Sequence, residues 1–91
     1  MELEEAAKRE ITKMRRVMES LSVVIESKSY RESNEMKKLV DAYWTDSLHF
    51  LERKMFLEAF EAAVICWAYV DAGLHIGIFE VSEDVRNLFT V

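Results

Sequence analysis

The chain has 91 residues, 51% hydrophobic and 32% charged, with two glycines, no proline, one cysteine and a formal charge of −5. That apolar fraction excludes a disordered tail, and a lone cysteine excludes both a disulfide scaffold and a four-cysteine zinc site. So little glycine and no proline leave too few turn signals for an all-β fold, so one all-α domain over residues 1–91 is expected.

The first predicted helix covers about residues 2–27. Its apolar stripe, Leu3, Ala7, Ile11, Met14, Met18, Leu21 and Ile25, recurs at steps of three and four, and Val17 and Val24 widen it. Glu4/Lys8 and Glu5/Arg9 are i,i+4 pairs in the favourable order. The stripe fails at Ser27-Lys28-Ser29, which places a turn near residues 27–33, and Ser29 with Glu32 fits a capping box. Ser33 or Asn34 would serve as the cap instead.

A second helix is predicted over about residues 30–53, with Met36, Leu39, Val40, Tyr43, Trp44, Leu48 and Leu51 inward or flanking. Glu52-Arg53-Lys54 is a polar island that marks the next turn without glycine or proline. A third helix follows over about residues 56–72, polar only at Glu58, Glu61 and Asp71. Gly73 is its expected C-cap, because glycine enters the left-handed region freely. The remaining tail, 73–91, is short and apolar, and Ser82-Glu83-Asp84 would cap a last helical turn carrying Val85, Leu88 and Phe89.

Three helices with short connections predict an up-down-up three-helix bundle with a short apolar C-terminal tail or helical turn. The third helix carries more apolar surface than two neighbours comfortably cover. Either the tail folds back over the surplus, or a second copy or a protein partner takes it. Phe56, Phe60, Trp67 and Phe79 are the expected contact residues, since aromatic side chains dominate interface energetics.

The segments Tyr43-Trp-Thr-Asp46-Ser-Leu-His49-Phe50, Ala59-Phe60-Glu61 and Tyr69-Val-Asp71-Ala72-Gly73-Leu-His-Ile-Gly77-Ile-Phe79 resemble an archaeal family of short proteins known as domain of unknown function 357. The likeness covers roughly residues 36–81, and the Asp-Ala-Gly-x-x-x-Gly-x-Phe segment is its most specific part. It implies a three-helix bundle and an archaeal cytoplasmic source, with no established activity. One departure stands before the third helix, where the family has Gly-Asp and this chain has Lys54-Met55. A longer or more continuous connection is expected there in place of a tight glycine turn.

Chemical signals are sparse. Asp71 ends a nine-residue uncharged run and needs a partner, since burying a bare charge is expensive. It either caps or pairs within the fold, or joins Asp46 in a small acidic pocket. Asp46 shares a helical face with Tyr43 and His49, and an Asp–His pair can tune a general base. Spacing fixes no nucleophile beside it. Asp46, His49 and Asp71 are therefore the candidate polar site, with no catalytic residue assigned.

His49, His75 and Cys66 lie on different elements without metal-ligand spacing, so no metal and no cofactor is expected. Cys66 falls inside the apolar third helix as a small hydrophobe. Trp44, Phe50, Phe56, Phe60, Trp67 and Tyr69 read as core before they read as a ligand box. Lys8, Arg9, Lys13, Arg15 and Arg16 form a local basic run that neighbouring glutamates offset. With the acidic balance, this disfavours nucleic-acid binding. Phosphate loops, nucleophile elbows and zinc-protease motifs are absent, and neither histidine follows an arginine at helical-ribonuclease spacing. The longest uncharged run, Ala62 to Val70, falls short of the roughly 20 residues a membrane span needs. The acidic start, Met1-Glu2-Leu3-Glu4-Glu5, is unlike a secretory leader. The expectation is a cytoplasmic interaction or self-associating module, with a small-ligand or nucleotide-related accessory protein or enzyme as the alternative.

Overall fold

The computed structural model describes residues 2–25 and 30–89. It contains α1 (Glu2–Ser20), β1 (Ser22–Val23), α2 (Tyr30–Glu52), α3 (Phe56–His75), β2 (Phe79–Glu80) and α4 (Glu83–Arg86). The class is all-α, with one two-residue antiparallel ribbon in which Ser22 faces Glu80 and Val23 faces Phe79. No helix is long and apolar enough to cross a membrane among the described residues.

α1 buries Ala7, Ile11, Met14 and Val17, the first part of its predicted stripe. Glu2, Glu4 and Glu5 sit in its first turn, where the exposed amide dipoles favour negative charge. The helix ends at Ser20, seven residues short of the expected 27. Beyond it the backbone turns to the ribbon, and Val24 N–H donates to the Ile78 carbonyl at 2.9 Å. Consecutive β-branched residues such as Val23-Val24-Ile25 satisfy an extended strand as readily as a helix, and pairing with a distant segment decides between them. Ile25 consequently leaves the buried stripe and is 68% exposed. The turn predicted near 27–33 and the Ser29 cap fall partly outside the described residues, while 30–33 already belong to α2.

α3 packs against both α1 and α2, whereas α1 and α2 meet over little of their length. Small buried residues on α3, namely Ala59, Ala63 and Cys66, let both neighbours approach closely. α2 contributes Val40 and the buried hydroxyl residues Ser33 and Ser47. The Ser47 hydroxyl donates to the Trp44 carbonyl at 2.7 Å, so this buried polar group is satisfied locally.

The α2–α3 connection is tight, contrary to the expectation of a longer or continuous one. Lys54 takes the left-handed conformation (φ 60°), its N–H donates to the Leu51 carbonyl at 3.0 Å, and Met55 N–H donates to the Phe50 carbonyl at 2.9 Å. This is the Schellman pattern, formed without glycine. α3 ends in the same pattern: Gly77 has φ 79°, its N–H reaches the Leu74 carbonyl at 3.3 Å, and Ile78 N–H reaches the Gly73 carbonyl at 3.0 Å.

The C-cap expected at Gly73 therefore shifts, and α3 runs on to His75. Gly73 lies inside the helix, where the Phe79 ring rests on it. A Cβ built there would stand 2.1 Å from a ring carbon. The tail does fold back: Phe79, Val85 and Phe89 are all buried. α4 supplies the predicted last helical turn, with Ser82 at the N-cap position in an extended conformation but without a side-chain cap hydrogen bond.

Candidate functional site

The tail covers only one flank of α3. Phe79 sits on Gly73, and Phe89 stacks on Trp67 with ring centroids 5.3 Å apart. The outer face of α3 stays open, with Leu57 51%, Val64 38%, Ile65 38% and Ile76 70% exposed. Ala68 and Ala72 are exposed on the same helix, so the face is apolar along nearly its whole length. These positions follow the i, i+3, i+4 spacing of one helical stripe.

Beside that face runs an open groove between α2 and α3. Its floor and walls are Tyr43, Phe50, Ala62 and Ile65, and three carboxylates rim it: Asp46 from α2, Glu58 and Glu61 from α3. Ile65 belongs to both groove and stripe, so the two are one continuous surface. None of the three carboxylates takes part in an ion pair among the described residues.

The predicted polar residues are not gathered in this groove. Asp46 lines it, and His49 is exposed on α2. Asp71 lies six residues beyond Ile65, the last groove residue of α3, about 9 Å further along the helix. It is engaged locally instead: Asp71 Oδ1 stands 3.7 Å from His75 Nε2, within ion-pair range when the imidazole is protonated. That carboxylate oxygen and the Trp67 indole N–H are both buried without a hydrogen-bond partner.

Of the four aromatic residues expected at an interface, Phe79 is 3% exposed and belongs to the core. Phe56, Phe60 and Trp67 are half-buried against it. Trp44, Phe50 and Tyr69 pack on the same core, and Tyr69 stacks on Tyr43 at 5.7 Å. The exposed stripe is carried by aliphatic residues that the aromatic criterion passed over. Glu58 and Glu61 were the available signal, because charges on an otherwise apolar helix mark the azimuth that faces water.

Cys66 is fully buried, with its thiol 3.6 Å from the Val40 carbonyl, and burial pushes its pKa up to about 12. Among the described residues no group of three or more His, Cys, Asp or Glu is arranged to hold a metal ion. The basic run of α1 is mostly engaged within the chain. Lys8 pairs with Glu4 at 2.7 Å, Lys13 with Glu10 at 2.6 Å, and Arg16 reaches Asp84 at 4.0 Å. Lys13 and Arg15 also stand over the Trp67 and Trp44 rings, at 5.3 and 5.4 Å from their centroids.

The model of the DUF357 family, described as proteins of unknown function, matches residues 5–79. The chain belongs to this family. The match takes in most of α1 as well as the segment around Asp71-Ala72-Gly73, so the DUF357 unit includes all three long helices and reaches Phe79. A crystal structure of protein AF1782 from Archaeoglobus fulgidus, also assigned to DUF357, has the same fold, with a TM-score of 0.66 at 22% identity over 89% of this chain and 95% of that one. No curated protein matches this DUF357 chain.

Proposed function

We propose that this chain is a non-enzymatic protein-interaction module whose contact surface is the outer face of α3. The observation that carries the reading is the open stripe from Leu57 to Ile76, about 28 Å long, on a helix already packed on two sides. Contiguous exposed apolar surface of this kind is characteristic of contact sites. In this reading the three long helices form an up-down-up bundle centred on α3, and the face is taken by a second copy or by another protein. A cytoplasmic, archaeal setting goes with the proposal, and the organism of the structural neighbour supports its archaeal part.

The alternative, a small-ligand or nucleotide-related protein using Asp46, His49 and Asp71, draws no support from their placement, since Asp71 lies outside the groove that Asp46 lines, about 9 Å along α3 beyond Ile65. The test is sedimentation in an extract of the source cells. The wild-type chain is expected in a complex larger than its 10.7 kDa. The double substitution Val64→Gln/Ile76→Gln is expected to return it to the monomer. A wild-type chain that sediments as a monomer overturns the proposal.

A further inference from the structure

The groove beside the apolar stripe is rimmed by charge of one sign. Asp46, Glu58 and Glu61 border the groove, and Asp71 lies farther along α3. No Lys or Arg occurs between Lys54 and Arg86, so α3 offers no cation of its own to its outer face. The wider concavity on α2 differs: it is lined by Glu32, Glu35 and Lys38 and presents both signs.

Resting on the interaction reading above, we infer that the α2–α3 groove receives a basic amphipathic helix of another protein, an apolar stripe flanked by Lys or Arg. The charge pattern selects this occupant. In a symmetric pairing of two copies through this groove, its carboxylates would meet those of the other copy with no groove cation between them. Like charges across a contact oppose association, whereas opposite charges steer it and set its register. An amphipathic helix lying in an apolar groove is a recurrent recognition mode, read by anchors at i, i+3, i+4 and i+7. Tyr43, Phe50 and Ile65 supply the apolar wall for those anchors, and the three carboxylates receive the flanking cations.

The experiment is a titration of the full chain, followed by NMR, with three synthetic 18-residue peptides. One is an amphipathic Leu/Ala helix with lysines flanking its stripe. The second has glutamate at each lysine, and the third scrambles the first. The lysine peptide is expected to bind, to shift the resonances of Tyr43, Phe50, Glu61 and Ile65, and to weaken as salt rises. Glu58→Gln/Glu61→Gln is expected to weaken it about 10-fold. Glu58→Lys/Glu61→Lys is expected to move the preference to the glutamate peptide. Equal binding of all three peptides, no binding of the lysine peptide, or unchanged affinity in the Gln variant overturns the inference. So does sedimentation of the purified chain as a dimer that Ile65→Gln dissolves. Should the source-cell complex still depend on Val64 and Ile76 while the lysine peptide fails, the interaction reading stands and the basic occupant falls.

Discussion

The ends of α2 and α3 are closed by one hydrogen-bond pattern and by different residues. At the end of α2 the left-handed position is held by Lys54, and at the end of α3 by Gly77. Lysine pays for that conformation with a Cβ clash, while glycine does not. Nothing lies within 4 Å of a Cβ built on Gly77, so glycine is favoured there by backbone angle alone. Gly73, four residues earlier, is the converse: its helical backbone suits any residue, and the Phe79 ring excludes a side chain. The turn pattern is thus robust to residue choice, and the docking of the tail is not.

The sharpest way to break the comparison is Gly73→Ala, expected to cost about 1–3 kcal/mol by forcing the Phe79 ring off the helix. Phe79→Ala alone removes a buried ring and is expected to cost about 3–5 kcal/mol. In the Phe79→Ala background Gly73→Ala should reverse sign and stabilise by about 1 kcal/mol, as alanine favours the helix. Denaturant unfolding of the four chains measures the cycle, and additive effects would refute the ring contact.

Gly77→Ala is the next largest, at about 1–2 kcal/mol of stability lost to the left-handed angle. Thermal melts should show it without any change in the exposure of Trp67. At the other helix end the sign inverts. Lys54→Gly is expected to raise stability by about 0.5–1 kcal/mol, the relief of strain being partly offset by the freer unfolded chain. A loss of stability there would mean that the Lys54 side chain makes a contact worth more than the strain.

The last effect concerns Cys66, midway along α3, which reports how far damage at the tail end travels. Its folded thiol keeps its proton to about pH 12, against an ordinary value of 9.0. The raised value contributes stability that is complete below pH 9 and declines as pH rises toward 12, because the unfolded thiol ionises first. A thiol reagent at pH 8 should leave the wild-type chain unmodified. Faster labelling in Gly73→Ala than in the wild-type chain would show that displacing the tail opens the middle of the helix.

Most of the candidate surface was legible as a quantity and not as a position. The composition of α3 announces surplus apolar area, since Ala62 to Val70 is uncharged. Which side chains carry it depends on how α3 is rotated between α1 and α2, and aromatic identity does not report rotation. Phe79 illustrates the failure: it is a strong interface residue by type, and the chain buries it on Gly73. The early end of α1 was hidden for a similar reason. Leu21, Val24 and Ile25 continue a helical stripe on paper, and only Phe79–Glu80, more than fifty residues later, draws Ser22–Val23 into a strand.

By itself the sequence determined what is local: the all-α class, the starts of α2 and α3, the early stripe of α1, and the apolar character of the third helix. Those follow from periodicity and propensity, which act over a few residues. Tertiary structure alone decided where α1 stops, which glycine closes α3, which residues stay open to a partner, and that Asp71 stands apart from Asp46. Each depends on contacts between segments distant in the chain, and packing energies of a few kcal/mol there outweigh local preferences of a few tenths.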